Sequence, residues 1–350
     1  MNRKLLNTYV CPFDNSPLAL KSEGEADSDV VENGELISAN GATYPINNSI
    51  PDFFSSDQLS LIEKKTQKEY DDVAEEFYDN AVDWLFQSFY EDEDSVRENM
   101  VDLLDIKADA VILEVGCGTG RDSFRIARRL GEKGVLFLQD LSRNMVVKTR
   151  QKLTHDYKEP GLSCELNYFV SNAANLPFPD DYFDALFHFG GFNNFGNPQK
   201  TLEEFSRIVK KGGKVVFGDE SLPPWLEDTT FGKIVCTNNP LFKHKAPLQC
   251  LPENSREVAI RWILGSCFYL IDYRVGNGTP PLNLDLPHKG RRGGTMRTRY
   301  YGQLEGVTPE ANKLAQKAAA KRGISLHDWL DQLVREGSKK DLDNEGEDYE

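Results

Sequence analysis

Residues 111 to 122, Val-Ile-Leu-Glu-Val-Gly-Cys-Gly-Thr-Gly-Arg-Asp, limit most tightly what this chain can fold into. Val111, Ile112, Leu113 and Val115 form the short apolar run that a strand covered on both faces needs. Gly116, Gly118 and Gly120 then stand at alternate positions, where backbone N–H groups can approach a ligand with no Cβ in the way. A helix is expected from 121. Strand, glycine turn and helix open a parallel βαβ unit, and in an open α/β sheet ligands gather at the carboxyl ends of the strands.

The chain downstream continues that alternation. Strands are expected at 110–115, 135–139, 166–170, 185–189 and 214–218. Helices are expected at 121–130, from Ser142 to about 153, and at 198–209 with Pro198 in the first turn. Asp140 closes the second strand. Residues 253–264 read as a helix. Residues 266–275 and 294–304 read as an antiparallel pair that closes the sheet, with a loop rich in glycine, proline and basic residues between them. The fold class is therefore α/β, a Rossmann-like sheet, mostly parallel, with its last strand antiparallel. Upstream, residues 67–84 carry apolar side chains at helical spacing, among them Val73, Ala74, Phe77 and Ala81. A helical hairpin is expected at 308–337, capped by Thr308 with Pro309 behind it, and restarted at Ser325. The domain reading is 1–55, a small β-rich module; 56–306, the α/β domain, with 223–295 a substrate-side insertion; 307–338, the hairpin; and 339–350, an acidic disordered tail.

Charge bears on partners. Fifty-six acidic residues against 41 lysines and arginines give a net charge of −15, which argues against a nucleic-acid substrate. No apolar run reaches the roughly 18 residues a membrane span needs. The six cysteines are scattered without a Cys-x-x-Cys pair, which fits reduced thiols and a cytoplasmic protein.

The glycine spacing separates two chemistries. A dinucleotide turn runs Gly-x-Gly-x-x-Gly, whereas here the third glycine comes one residue early. Glu114 precedes the turn. A carboxylate there repels a pyrophosphate and suits a cationic ligand.

With Leu113–Gly120, Asp140-Leu141-Ser142-x-x-Met145, Asn172-Ala173-x-x-Leu176-Pro177-Phe178, Phe189-Gly190-Gly191-Phe192-Asn193-Asn194 and Lys210-Lys211-Gly212-Gly213 in this order, residues 111–220 resemble class I S-adenosylmethionine-dependent methyltransferases. They are most similar to the ubiquinone/menaquinone-type C-methyltransferases and their small-molecule relatives. The resemblance implies S-adenosylmethionine as cofactor. Glu114, Gly116, Cys117, Gly118 and Gly120 would cradle its methionine part, and Asp140 its ribose. Leu141 and Met145 would pack near the adenine, Asn172 and Ala173 would read the adenine edge, and Phe189 would line the methyl side. Asn172 stands where relatives have Asp, and its side-chain carbonyl can still take a hydrogen bond.

Tyr70-Asp71-x-x-Ala74 through Tyr78-Asp79 resembles the lid segment of such enzymes, so Tyr70 joins the cofactor-binding set. His188 is the candidate base, and Asn193, Asn194, Asp219 and Glu220 are placed to orient an acceptor. Arg291, with His288 and Arg292, is a candidate clamp for an anionic group.

Residues 9–54 resemble a zinc-ribbon-like module. Only Cys11 keeps a ligand position; the others fall on Asp14, Ile37 and Asn40. Ile37 cannot donate, so no metal is expected. Residues 308–337 resemble a ribbon-helix-helix hairpin, which suggests a homodimer contact. Three functions stay open: a methyltransferase for a small or lipid-like acceptor, an RNA or protein methyltransferase that docks through its terminal modules, and a non-catalytic S-adenosylmethionine-binding regulator.

Overall fold

The computed structural model describes residues 1–23, 28–54, 60–72, 75–155, 162–291, 293–301 and 307–344. Two compact units divide the chain, Met1–Pro280 and Pro281–Glu350.

The first unit begins with an antiparallel four-stranded sheet, β1 (Leu18–Glu23), β2 (Asn33–Ser38), β3 (Thr43–Asn47) and β4 (Ile50–Pro51). Three helices follow, α1 (Leu61–Asp72), α2 (Glu75–Ser88) and α3 (Glu93–Asp102). The main sheet is built from β5 (Val111–Val115), α4 (Arg121–Arg129), β6 (Val135–Asp140), α5 (Arg143–His155), β7 (Glu165–Val170), β8 (Phe183–Phe189), α6 (Pro198–Ile208) and β9 (Val209–Glu220). It is completed by α7 (Thr230–Asn238), β10 (Ser255–Ile263) and β11 (Phe268–Val275). Its order is β10-β11-β9-β8-β5-β6-β7. Strands β5 to β9 pair in parallel, while β11 runs antiparallel to both β9 and β10. The chain winds outward from β5 in both directions, so the order reverses between β5 and β8. That reversal opens a crevice at the carboxyl ends of these two strands.

The expected mostly parallel sheet with an antiparallel last strand is present. Two local readings do not hold. Residues 253–264 form strand β10, not a helix, and residues 296–301 form helix α8 (Met296–Tyr301), not a closing strand. A bulge between Arg256 and Ala259 breaks the alternation that marks a strand. At 294–301 the local cap wins over strand propensity, because Thr295 Oγ1 accepts the Thr298 N–H at 3.2 Å, and 302–304 of the expected strand lie outside the described residues.

The N-terminal sheet and the main sheet share one core. Tyr9 and Phe53 pack against Phe137, Phe169 and Phe178, with ring centroids 5.0 to 6.3 Å apart. The Phe53 N–H bonds Val170 O at 2.8 Å, and Asp52 bridges Val170 in parallel. The module thus covers the edge of β7, which would otherwise present unpaired backbone groups. The corner that holds Cys11, Asp14 and Asn40 is knitted by hydrogen bonds. Asn40 Nδ2 donates to Asp14 Oδ2 at 2.7 Å, and Cys11 Sγ lies 3.3 Å from Tyr44 Oη.

The second unit contains α8, α9 (Pro309–Arg322) and α10 (Leu326–Asn344). Thr308 Oγ1 caps α9 through the Ala311 N–H, and Gly323 ends it at a φ of 69° that glycine adopts without strain. Helix α10 runs to Asn344, beyond the expected limit near 337, so 339–344 are helical, not the expected disordered tail, and 345–350 lie outside the described residues.

Phe178 is fully buried between the two sheets. Phe178→Ala is expected to lower stability by about 3–5 kcal/mol, read as a shift in the urea midpoint at unchanged slope.

Candidate functional site

The crevice is organised by the turn after β5. Gly116, Gly118 and Gly120 have φ of 70°, 53° and 83°, the left-handed region that glycine alone enters freely. A Cβ at Gly116 would also lie 3.2 Å from the His188 ring. Strand β6 supplies the anchors. Gln139 Oε1 accepts the Gly116 N–H at 3.2 Å, and Asp140 Oδ2 accepts the Gly118 N–H at 3.0 Å. Asp140 Oδ1 takes the Ser142 N–H at 2.9 Å, and Gln139 Nε2 donates to Ser171 O. From below, Thr149 Oγ1 donates to Gly118 O at 2.8 Å.

Two clefts meet at this turn and share Gly116, Gly118, Phe189, Gly190 and Gly191. The first, about 740 Å³, is lined by Asp140, Leu141, Met145, Asn172, Ala173, His188 and Asn194, among others. The second, about 1150 Å³, runs from Cys117 and Thr119 to Trp84, Leu85, Phe86, Phe242, Leu264, Phe268 and Glu220.

Helix α1 borders the first cleft with two side chains the sequence reading missed. Glu63 Oε1 accepts from Asn172 Nδ2 at 2.9 Å, its other oxygen accepts the Ser60 N–H at 2.8 Å, and Gln67 Nε2 donates to Leu141 O at 3.2 Å. Burial pushes Glu63 upward, but the hydrogen bonds from Ser60 and Asn172 outweigh it and hold its carboxyl below the usual range. Asn172 Oδ1 takes the Ala174 N–H at 2.8 Å.

Helix α2 is fastened over the turn by Asp79. Its carboxylate receives Thr119 Oγ1 at 2.9 Å, Arg121 Nε at 3.1 Å and Lys152 Nζ at 2.6 Å. Arg121 also grips Asp83 and Glu93. The fully buried Arg97 sits between Glu93 and Asp122, 2.6 Å from each. Tyr70 lies in α1, but its side chain is outside the described residues, as is Arg292.

Glu114 is buried beneath the turn, and its Oε2 has no hydrogen-bond partner among the described residues. Burial first, then Asp122, pushes its carboxyl well above the usual value. Burial likewise raises the Cys117 thiol well above its usual value, which keeps it protonated and unreactive. His188 donates its Nδ1 proton to Val115 O at 2.7 Å, which leaves Nε2 as an acceptor without a partner among the described residues. Burial lowers its pKa, so the imidazole is neutral. Phe192, Phe195 and Phe205 pack around it.

Asp219 is wholly buried and accepts the Gly191 N–H at 3.0 Å and the Asn193 N–H at 2.5 Å, while Asn193 Nδ2 donates to Glu220 O at 2.8 Å. Asp219 and Asn193 therefore shape the turn after β8. Arg291 is an exposed residue of the second unit, and His288 Nδ1 there accepts the Gly290 N–H.

The strand order, with β11 antiparallel beside β9, defines a mostly parallel Rossmann-like sheet. The sequence model of the ubiE/COQ5 methyltransferase family matches residues 59–225. The ubiquinone/menaquinone biosynthesis C-methyltransferase UbiE of Serratia proteamaculans is 31% identical over 123 residues, 35% of this chain and 47% of that protein. The Edwardsiella ictaluri protein of the same name is 31% identical over 126 residues, 36% and 49% of the two chains. The chain thus spans about half the length of these relatives. Among solved structures, geranyl diphosphate C-methyltransferase from Streptomyces coelicolor aligns with a TM-score of 0.46 at 13% identity, over 62% of this chain and 98% of that one.

Glu114 gives a pH signature. Its folded pKa lies above its unfolded value, so its contribution to stability is full below the unfolded value near 4.5 and is lost as pH rises through the folded one. Relative to Glu114→Gln, the wild-type protein should lose stability above that value, by up to about 1.4 kcal/mol per pH unit within the window. Urea denaturation of both proteins across mildly acidic to mildly alkaline pH reads the difference.

Proposed function

We propose that this protein is an S-adenosylmethionine-dependent methyltransferase acting on a small or lipid-like, largely apolar acceptor. The observation that carries the reading is the turn at 116–120, held open at the end of β6 by Gln139 and Asp140, with the carboxyl of Glu114 beneath it.

The residues fit the cofactor. The Glu114 carboxyl lacks a partner on Oε2 among the described residues, which suits a ligand carrying an ammonium and a sulfonium charge. Asp140 lies in the first cleft, where a carboxylate suits the ribose hydroxyls. Leu141 and Met145 supply an apolar wall for the adenine, and Asn172 and Ala173 stand at its edge. Gly116 and Gly118 line both clefts, and Phe189 stands where the clefts join. Bound there, the cofactor supplies a methyl group already activated on a positive sulfur. This chain then has to align the acceptor, exclude water and remove a proton.

The second cleft has an apolar wall of Trp84, Leu85, Phe86, Phe242, Leu264 and Phe268 and a polar one that includes Arg97, Arg121, Asp122, Glu220 and Asn239, which supports an acceptor with an apolar body and a polar group. The net charge of −15 speaks against a nucleic-acid acceptor. Among the described residues, no helix is long and apolar enough to cross a membrane. The cysteines, all free, support a reducing, cytoplasmic setting. Helices α9 and α10 leave Leu314, Leu333 and Val334 exposed, which supports a homodimer contact.

The reading is tested by calorimetry with S-adenosylhomocysteine, followed by labelled-methyl transfer into a small-metabolite extract. Wild type is expected to bind and to label a small product. Binding without any labelled product would favour the regulator reading, and absence of binding would refute the proposal. Asp140→Ala is expected to weaken S-adenosylhomocysteine binding by roughly 1–3 kcal/mol, and unchanged affinity would refute the ribose assignment. Leu333→Glu is expected to shift the full chain from dimer to monomer in sedimentation.

A further inference from the structure

Glu220 ends β9 on the wall of the second cleft. Its own backbone N–H and the Asp219 carboxyl act on its carboxyl, and its charge is felt by the Tyr269 hydroxyl. The other charged groups lining that cleft already have ionic partners. Arg97 holds Asp122 and Glu93, and Arg121 holds Asp79, Asp83 and Glu93. Glu220 is thus the one lining carboxyl without a cation partner among the described residues, and it faces the same chamber as Trp84, Phe86, Phe242 and Phe268. His188 lines only the first cleft, with its Nδ1 proton committed to Val115.

The geometry points to Glu220 as the catalytic residue that takes the acceptor's proton during methyl transfer. The inference rests on the methyltransferase reading above and on the acceptor occupying the second cleft. In the step, the acceptor's lone pair forms the new bond to the methyl carbon. The acceptor's own proton passes to a Glu220 carboxylate oxygen, and the electron pair of the broken carbon–sulfur bond stays on sulfur. Asp219 is the positioning residue. It is fixed by the Gly191 and Asn193 N–H groups, while Asn193 Nδ2 holds the Glu220 carbonyl, so the Glu220 backbone is tied to the turn that joins the two clefts.

Basicity fits the task. Burial first, then the adjacent Asp219, pushes the Glu220 carboxyl well above its ordinary value, which makes its ionised form a stronger base than a solvated glutamate. The acceptor class follows from the same charges: an apolar molecule with a hydroxyl or amine as nucleophile fits beside this carboxyl pair, and an anionic one is repelled.

The test uses the full chain saturated with S-adenosylhomocysteine and 2-naphthol as probe, since excited 2-naphthol in an apolar site emits as naphtholate only when a base touches its hydroxyl. At mildly alkaline pH the bound probe is expected to show naphtholate emission in wild type. Glu220→Gln should bind S-adenosylhomocysteine and naphthol as before but lose that emission. Naphtholate emission that survives in Glu220→Gln would overturn the assignment, as would failure of naphthol to enter the loaded wild-type protein. Failure of wild type to bind S-adenosylhomocysteine in calorimetry would instead sink the methyltransferase reading beneath it.

Discussion

The site depends on a pair of side chains from one strand end holding the backbone of another. Gln139 and Asp140 accept the N–H groups of Gly116 and Gly118, and so keep a left-handed turn open at the point where the sheet order reverses. Each bond is worth only about 1 kcal/mol net, or somewhat more where the acceptor is charged. Their effect is geometric: they fix the amides before any ligand arrives, so little ordering is left to be done on binding. The anchors reach further through Ser171 and Ser142, which start the segments after β7 and β6. Both walls of the first cleft are therefore referenced to the same two residues.

The helices over the turn are held by a different kind of force. Asp79, Arg121, Lys152, Glu93, Arg97 and Asp122 form a half-buried ionic chain running from α2 through α3 and α4 to α5. Such a chain tolerates the loss of an outer member far better than the loss of Arg97, whose removal would leave the buried Asp122 without its cation. The same helices also bury Phe86, Met100, Val101, Ile126 and Val146 in the apolar core, so the ionic chain adds to packing and does not replace it.

What could be read from the sequence follows how local each signal is. Gly116, Gly118, Asp140 and Asn172 sit at strand ends inside contiguous motifs, and they line the crevice. Gln139 reads as the last apolar-facing position of a strand, and nothing local marks its amide as an anchor. Glu63, Gln67 and Asp79 reach partners 40 to 109 residues away, contacts that exist only after folding. The β10 misreading has a local cause, the bulge after Arg256, and the 296–301 misreading shows a capping threonine outweighing aromatic strand formers. Asp219 is instructive in another way. Its place at a strand end suggested contact with an acceptor, yet both oxygens are taken by backbone amides, and its neighbour Glu220 is left facing the cleft.

The seam between the N-terminal sheet and β7 bears on how the chain is made. Tyr9 leaves the ribosome well over a hundred residues ahead of Phe137, Phe169 and Phe178, the rings that bury it. At 5 to 20 residues per second, synthesis alone keeps that aromatic surface without its partners for roughly 6 to 34 s. Contacts of such long sequence separation also close slowly in the finished chain, because the intervening loop must be ordered first. The segment that ultimately protects the sheet's edge is therefore the one most exposed to sticking elsewhere while the protein is being born.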